Sequence, residues 1–396
     1  MNNTLTLWWL IPVILLPLFF AMGWFVARVD MRTVLKQAKS IPDGFYRALD
    51  ALIDRKTNIA TQSLNEVIEQ QRFNKNDTGA YELILSLGKL YRQRGENDKA
   101  VALHQQLLTS PDMIGERYHR LQFELGQDFQ NAGLVDRAEF QFEQLVDTDM
   151  AKEAYEVLLH IYQQDRDWLK AIKIAEQLTK GNISYQFEIA QFYCELAQNA
   201  VFHSDLEEAL RYVQAALKTN RKCTRANMIL GDIEYEQKHF QAAIDAYSAI
   251  EQQNHEYLGM IAERLYQSYE AQNQAQEGLN ILIGYAKTFP QLDIHHIIYE
   301  KSLGLYGEQY AREQIIELIR MRPDLQGVYH LLGIKITELN PTWKADVDMM
   351  RHTVGRYLQK AMMYRCRHCH FKSQVFFWHC PACNKWETFT PNRIEV

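Results

Sequence analysis

Residues 81–111 read YELILSLGKLYRQRGENDKAVALHQQLLTSP, and the spacing inside this stretch decides how most of the chain is read. Leu87, Gly88 and Tyr91 fall on one periodic run, and Ala100 on a second. Gly95 and Asn97 lie between the runs, where a helix has to break. The pattern predicts two short helices packed face to face. Gly88 has no side chain and Ala100 only a methyl, so the backbones can approach closely where the helices cross. One such pair cannot bury its apolar face alone, so its meaning depends on repetition.

Working outward, the small first-helix position is read at Leu52, Gly88, Gly126, Leu159, Ala197, Gly231, Tyr266, Tyr299 and Gly333, at intervals of 36, 38, 33, 38, 34, 35, 33 and 34 residues. Twelve residues further on, the second-helix position reads Leu64, Ala100, Ala138, Ala171, Ala209, Ala243, Gly278 and Ala311. Seven of these eight are Ala or Gly, where ordinary usage gives roughly one in six. Pro111, Pro290 and Pro323 fall where a second helix should stop. This is the spacing of a tetratricopeptide array. It predicts an all-α superhelix of about eight to nine units over residues 41–359, with a last helix near 340–359. Leu52, Leu159, Tyr266 and Tyr299 are large where Gly or Ala is expected. Terminal units cap such stacks and are atypical, and the two tyrosines imply wider helix spacing or altered curvature.

With 396 residues, 47% hydrophobic, 23% charged and nine prolines, the chain is long enough for two or three domains and has the composition of an ordered one. A net charge of −6 supplies no global positive field for nucleic acid. Of six cysteines, four crowd into Cys366–Cys383, which fits a metal site in a reducing compartment better than a disulfide framework. Cys194 and Cys223 stand apart in helical sequence and read as small buried hydrophobes.

Residues 5–27, LTLWWLIPVILLPLFFAMGWFVA, carry no charge across 23 positions. That length of helix spans a hydrocarbon core of about 30 Å. Trp8, Trp9 and Trp24 sit near its ends, and Pro12 and Pro17 are tolerable inside a membrane helix. Nothing charged precedes Arg28, which argues against a cleaved signal peptide. Arg28, Arg32, Lys36 and Lys39 all follow the span, so the N-terminus is expected outside and the body in the cytoplasm. The expected layout is an anchor over 1–28, a linker over 29–40, the array over 41–359 and a small metal-binding β module over 360–396.

In YRCRHCHFKSQVFFWHCPACNKW, residues 364–386, Cys366 and Cys369 form one C-x-x-C, Cys380 and Cys383 a second. Two thiolates three residues apart on a tight knuckle grip an ion from one side, and two knuckles complete a tetrahedron of sulfur. The intervening FKSQVFFW suits a short hairpin. So small a module needs its metal as a staple. An S4 site takes iron or zinc, and the sequence does not choose. His368, His370 and His379 read as surface or knuckle residues, since four thiolates already fill the site.

An uncharged span ending in GWFVAR, a tetratricopeptide array and a terminal C-x2-C-x10-C-x2-C ribbon resemble the lipopolysaccharide assembly protein B family of Gram-negative inner membranes. LGKLYRQRGENDKAVALHQQLL, FYCELA at Phe192–Ala197, and YRCRHC…WHCPAC…W look like its signature stretches, and the resemblance covers essentially the whole chain. It implies an inner-membrane adaptor that limits lipopolysaccharide output. Such an adaptor helps a membrane-anchored ATP-dependent metalloprotease degrade the deacetylase that commits precursors to lipid A. It also implies links to a lipopolysaccharide-sensing inner-membrane protein and to lipopolysaccharide assembly proteins. The terminal module would be rubredoxin-like, packed on the array, with Cys366, Cys369, Cys380 and Cys383 as ligands. His370 and Asn384 stand where such knuckles commonly carry Gly, and both tolerate the left-handed backbone region.

The residues themselves point to a scaffold whose groove is lined by first-helix side chains. Glu82, Lys89, Arg92, Phe123 and Gln127 are candidate groove residues, and charge reversal at Lys89 and Arg92 is expected to weaken partner capture without unfolding the array. No nucleotide-binding, metalloprotease or hydrolase motif occurs, so an enzyme is not expected. The alternative is a nucleic-acid-binding or other regulatory protein at the membrane. Arg365, Arg367, Lys372, Lys385 and Arg393, with Phe371, Phe376, Trp378 and Trp386, give the ribbon a basic and aromatic character. The ribbon is also expected to clamp the C-terminal units of the array.

Overall fold

A computed structural model describes residues 20–24, 43–70, 78–109, 113–180, 184–321, 323, 325–338, 340–392 and 394–395. Of the predicted span 5–27 and linker 29–40, only residues 20–24 are described, as a turn of helix; the rest lies outside the described residues. Among the described residues no helix is long and apolar enough to cross a membrane. The chain divides into two compact units, Met1–Val157 and Leu158–Val396.

The first unit contains helices Asp43–Ile53, Thr57–Gln70, Thr78–Gln93, Asn97–Leu108, Glu116–Asn131 and Val135–Glu143, and the start of Ala151–Gln164. The second holds the rest of that helix and Trp168–Thr179, Gln186–Phe202, Leu206–Thr219, Thr224–Glu236, Phe240–Asn254, Leu258–Ala271, Ala275–Thr288, His295–Tyr306, Glu308–Met321, Leu325–Glu338 and Pro341–Ala361. Close approach explains the small residues. A methyl on Gly231 would lie 2.4 Å from the Tyr247 ring, and one on Gly126 would lie 2.8 Å from Phe142. In both cases the aromatic ring of the second helix, sixteen residues on, fills the space that the glycine leaves. The rule also runs in reverse. Leu159 is large, and sixteen residues on stands Ala175, fully buried. Volume is conserved across the crossing, which accounts for one of the departures seen in the sequence.

The turns are as regular as the crossings. Gly95, Gly133, Arg166, Ser204, Lys238 and Asn273 all have φ between +57° and +77°, each seven residues after the small position of its pair. The following amide closes each turn onto the carbonyl five residues back, as in Glu96 N to Tyr91 O at 2.9 Å and His239 N to Glu234 O at 2.8 Å. This is the helix-ending arrangement in which a left-handed residue lets the last carbonyls be satisfied. Arg55, with φ +58°, is the same position in the first pair. Counting back seven from Arg55 gives Ala48, not Leu52. Ala48 and Ala60 are 1% and 0% exposed, whereas Leu52 is 40% exposed. The register read from the sequence for the first pair is therefore wrong by one helical turn: Ala48 and Ala60 are its small pair, not Leu52 and Leu64.

The ribbon begins where Pro341–Ala361 ends. Strand β1, Met362–Arg365, pairs antiparallel with β2, Lys372–Ser373, and with β3, Ile394–Glu395, in the order β2-β1-β3. The expected hairpin within FKSQVFFW is corrected. Only Lys372 and Ser373 become strand, paired backwards across the first knuckle with Tyr364 and Arg365, because the knuckle itself supplies the reversal.

Candidate metal centre and its seat on the array

Each knuckle is built by the same three features. Cys366 N donates to Phe371 O at 2.9 Å and His370 N to Cys366 O at 3.0 Å. In the second knuckle Cys380 N donates to Lys385 O and Asn384 N to Cys380 O, both at 2.9 Å. His370 and Asn384 take φ of +63° and +53°, the left-handed conformation expected of them. The backbone is thus folded tightly enough for both cysteines of a pair to point at one centre.

The four sulfurs of Cys366, Cys369, Cys380 and Cys383 lie within 4.8 Å of one another. Between the knuckles, Cys366–Cys383 and Cys369–Cys380 measure 3.8 and 3.6 Å. A metal bonded to four thiolates at about 2.3 Å requires sulfur–sulfur edges of about 3.8 Å. The donor set and its spacing therefore fit one tetrahedral ion. Burial acts against ionisation of Cys366, but the Cys369 amide and the Thr388 hydroxyl bring it down to about 6, while burial pushes Cys380 up to about 12. A cation at the centre holds all four as thiolates and ties the two knuckles together. The spacing suits iron and zinc equally.

Sequence reasoning places the ribbon on the C-terminal units; the structure seats it further back in the chain. Trp386 lies edge-on to Trp168 and Phe192, both at 5.9 Å between ring centroids, and stacks on His379 at 4.4 Å. Trp378 stacks on Tyr257 at 5.0 Å with the rings 11° from parallel. The Arg225 guanidinium lies between the two tryptophans, 5.4 Å from Trp378 and 5.8 Å from Trp386. It is fixed from behind by Glu195 at 2.7 Å and Gln198 at 2.6 Å. Gln191 Nε2 donates to Glu387 at 2.6 Å, and Arg367 reaches both oxygens of Glu256 at 2.7 and 2.6 Å. The seat belongs to helices Gln186–Phe202 and Thr224–Glu236 and to the short turn His255–Tyr257. Most of the ribbon aromatics that the alternative reading would offer to bases are engaged here or within the ribbon core, and Trp386 is only 8% exposed.

The five candidate groove residues lie in the first unit. Lys89, Arg92 and Gln127 converge: Arg92 bonds Glu124 at 2.7 Å, Asp128 at 2.6 Å and Gln127 at 2.9 Å, and Lys89 reaches Glu124 at 2.7 Å. His104 closes the network from the buried side through Asp128. Burial would raise the Glu124 carboxyl, but Lys89 and Arg92 hold it below its ordinary value. Glu82 stands apart, paired with Arg120 at 2.8 Å, and Phe123 is buried edge-on to Phe142 at 5.3 Å. Arg92 is therefore a structural cation, and its reversal would place three carboxylates together. The expectation that such a variant keeps its fold is withdrawn. The partners Glu124, Asp128 and His104 escaped the sequence reading, although Glu124 and Asp128 are four apart on one helical face.

A helix-pair array carrying a C-terminal two-knuckle tetrathiolate ribbon defines a class, that of tetratricopeptide proteins with a rubredoxin-type module. Tetratricopeptide repeat models match residues 83–113 and 194–256, and a rubredoxin metal binding domain model matches 364–391. Lipopolysaccharide assembly protein B of Escherichia coli (strain K12) is 28% identical over 384 residues, covering 96% of this chain and 97% of its own. Its namesake from Haemophilus influenzae is 28% identical over 395 residues, with the same coverage of both chains. A solved tetratricopeptide repeat protein from Parabacteroides merdae is 13% identical and aligns over 74% of this chain and 97% of its own at a TM-score of 0.29. The chain is thus similar to lipopolysaccharide assembly protein B over nearly the whole length of both chains.

Proposed function

We propose that this protein is an adaptor of lipopolysaccharide assembly, with no chemistry of its own, that restrains output by delivering an enzyme to a protease. The client is the deacetylase that commits precursors to lipid A, and the protease is a membrane-anchored ATP-dependent metalloprotease. A lipopolysaccharide-sensing inner-membrane protein opposes the delivery, and lipopolysaccharide assembly proteins are further partners. The observation that carries this reading is the match to lipopolysaccharide assembly protein B over nearly the full length of both chains. Stacked helix pairs present an extended surface suited to protein clients. The uncharged stretch 5–27 supports a single-pass anchor in the inner membrane with the body on the cytoplasmic side. Tethering there raises the effective concentration of partners held in the same bilayer.

The test is the lifetime of the deacetylase after depletion of this protein from its host. The half-life is expected to lengthen and lipopolysaccharide to accumulate. An unchanged half-life would overturn the delivery step. A protease accessibility assay on spheroplasts tests the topology: the body should be protected until the inner membrane is opened.

A further inference from the structure

Cys194 and Cys223, separate in the sequence, meet in the fold. Their sulfurs are 3.7 Å apart, and both are buried free thiols. Cys194 lies within Gln186–Phe202, and Cys223 is the residue that opens Thr224–Glu236, so the contact joins neighbouring helix pairs. Much of the pair's company is apolar, Ala190, Ala197, Ala226 and Ile229 among it, but not all of it. Here the Gln191 amide points at Cys223 Sγ from 3.8 Å, and the same Nε2 donates to Glu387 of the ribbon at 2.6 Å. Arg225, two residues from Cys223, is the cation held between the ribbon tryptophans. The dithiol therefore sits directly beneath the seat.

We propose that Cys194 and Cys223 are a reversible dithiol–disulfide site whose access is governed by the seated ribbon. The two thiols are inequivalent. Contact with Cys194, against the opposing effect of burial and with help from the Ala226 amide, holds Cys223 below its ordinary pKa, whereas burial pushes Cys194 well above. Cys223 is thus the nucleophile. With hydrogen peroxide as oxidant, its thiolate attacks one oxygen, forming an S–O bond as the O–O bond breaks. The departing hydroxide takes up the proton released by the thiol, leaving a Cys223 sulfenic acid and one water. Cys194 sulfur then attacks Cys223 sulfur; the S–S bond forms, the S–O bond breaks, and the hydroxyl leaves with the Cys194 proton as a second water. Two thiols lose two electrons and peroxide gains two. An external dithiol reverses the step by exchange. The sulfurs must close from 3.7 Å to about 2.05 Å. The ribbon governs this twice over, by covering the pair and by placing the Glu387 carboxylate where it opposes ionisation of both thiols.

The experiment treats the full-length, metal-loaded protein in detergent with peroxide, then alkylates and digests it without reductant for mass spectrometry. A Cys194–Cys223 linked peptide that disappears with dithiothreitol is expected, and it should form roughly tenfold faster in Trp386→Ala, where the seat is weakened. In Cys194→Ser the reaction should stop at a Cys223 sulfenate, trapped by a dione reagent. Absence of the linked peptide from both wild type and Trp386→Ala would overturn the site. Equal rates in the two would overturn control by the ribbon.

Discussion

Trp386 shows what a single side chain does here. It touches Trp168, Phe192, His379 and Arg225 at once. Trp386→Ala should therefore weaken the ribbon's hold on the array by about 3–5 kcal/mol, read as a lower midpoint for loss of near-ultraviolet circular dichroism. An unshifted midpoint would mean the seat contributes nothing. Arg92→Glu should cost the first unit about 3–5 kcal/mol, measured by urea unfolding, whereas Lys89→Glu, at the half-exposed rim, should cost far less. Glu387 adds a pH dependence. Burial raises its carboxyl above the ordinary value, against the pull of Gln191 and Arg225. A folded-state pKa above the unfolded one means stability is fully present below the unfolded value of about 4.3 and is lost as pH rises through the raised folded value. Wild type should thus lose seat stability as pH rises above about 4.3, and Glu387→Gln should flatten that slope; equal slopes in melts of the two proteins would refute it. The ligands were legible in the sequence because metal geometry demands their spacing. The seat was not, because Arg225 and Trp168 look like any helical residues until the ribbon, more than a hundred positions away in the chain, folds onto them.

At the level of elements, the turn is the most regular part of the chain, yet it is chemically disguised. Gly95 and Gly133 announce a left-handed residue, whereas Arg55, Arg166, Ser204, Lys238 and Asn273 adopt the same conformation without announcing it. The first pair falls out of register for a different reason: 40 residues separate Ala48 from Gly88, more than the 33 to 38 between later crossing positions, so the usual period leads back to Leu52. The cost of left-handed residues other than Gly predicts a gain. Lys238→Gly, at φ +63°, should stabilise the protein by about 1 kcal/mol, visible as a raised thermal midpoint; a lowered midpoint would show that the lysine side chain contributes more than the strain removes. Crossing positions were legible where Gly or Ala marked them. They were obscured where volume was exchanged between helices, as at Leu159 and Ala175.

For the molecule as a whole, the tetrathiolate centre holds the only described part with little helix to sustain it. Metal removal by a chelator should unfold the ribbon and expose the aromatic seat, raising binding of an apolar dye, while far-ultraviolet helix content falls little. Retained near-ultraviolet signal after complete metal loss would contradict this. A larger consequence follows from where the ribbon rests. In an ordinary solenoid each unit answers only to its neighbours, but here one compact module grips Trp168, Phe192, Arg225 and Tyr257 together. Under tension, as when a processive motor hauls on an attached client, the coils spanned by that grip would yield as one block and only after the ribbon tears free.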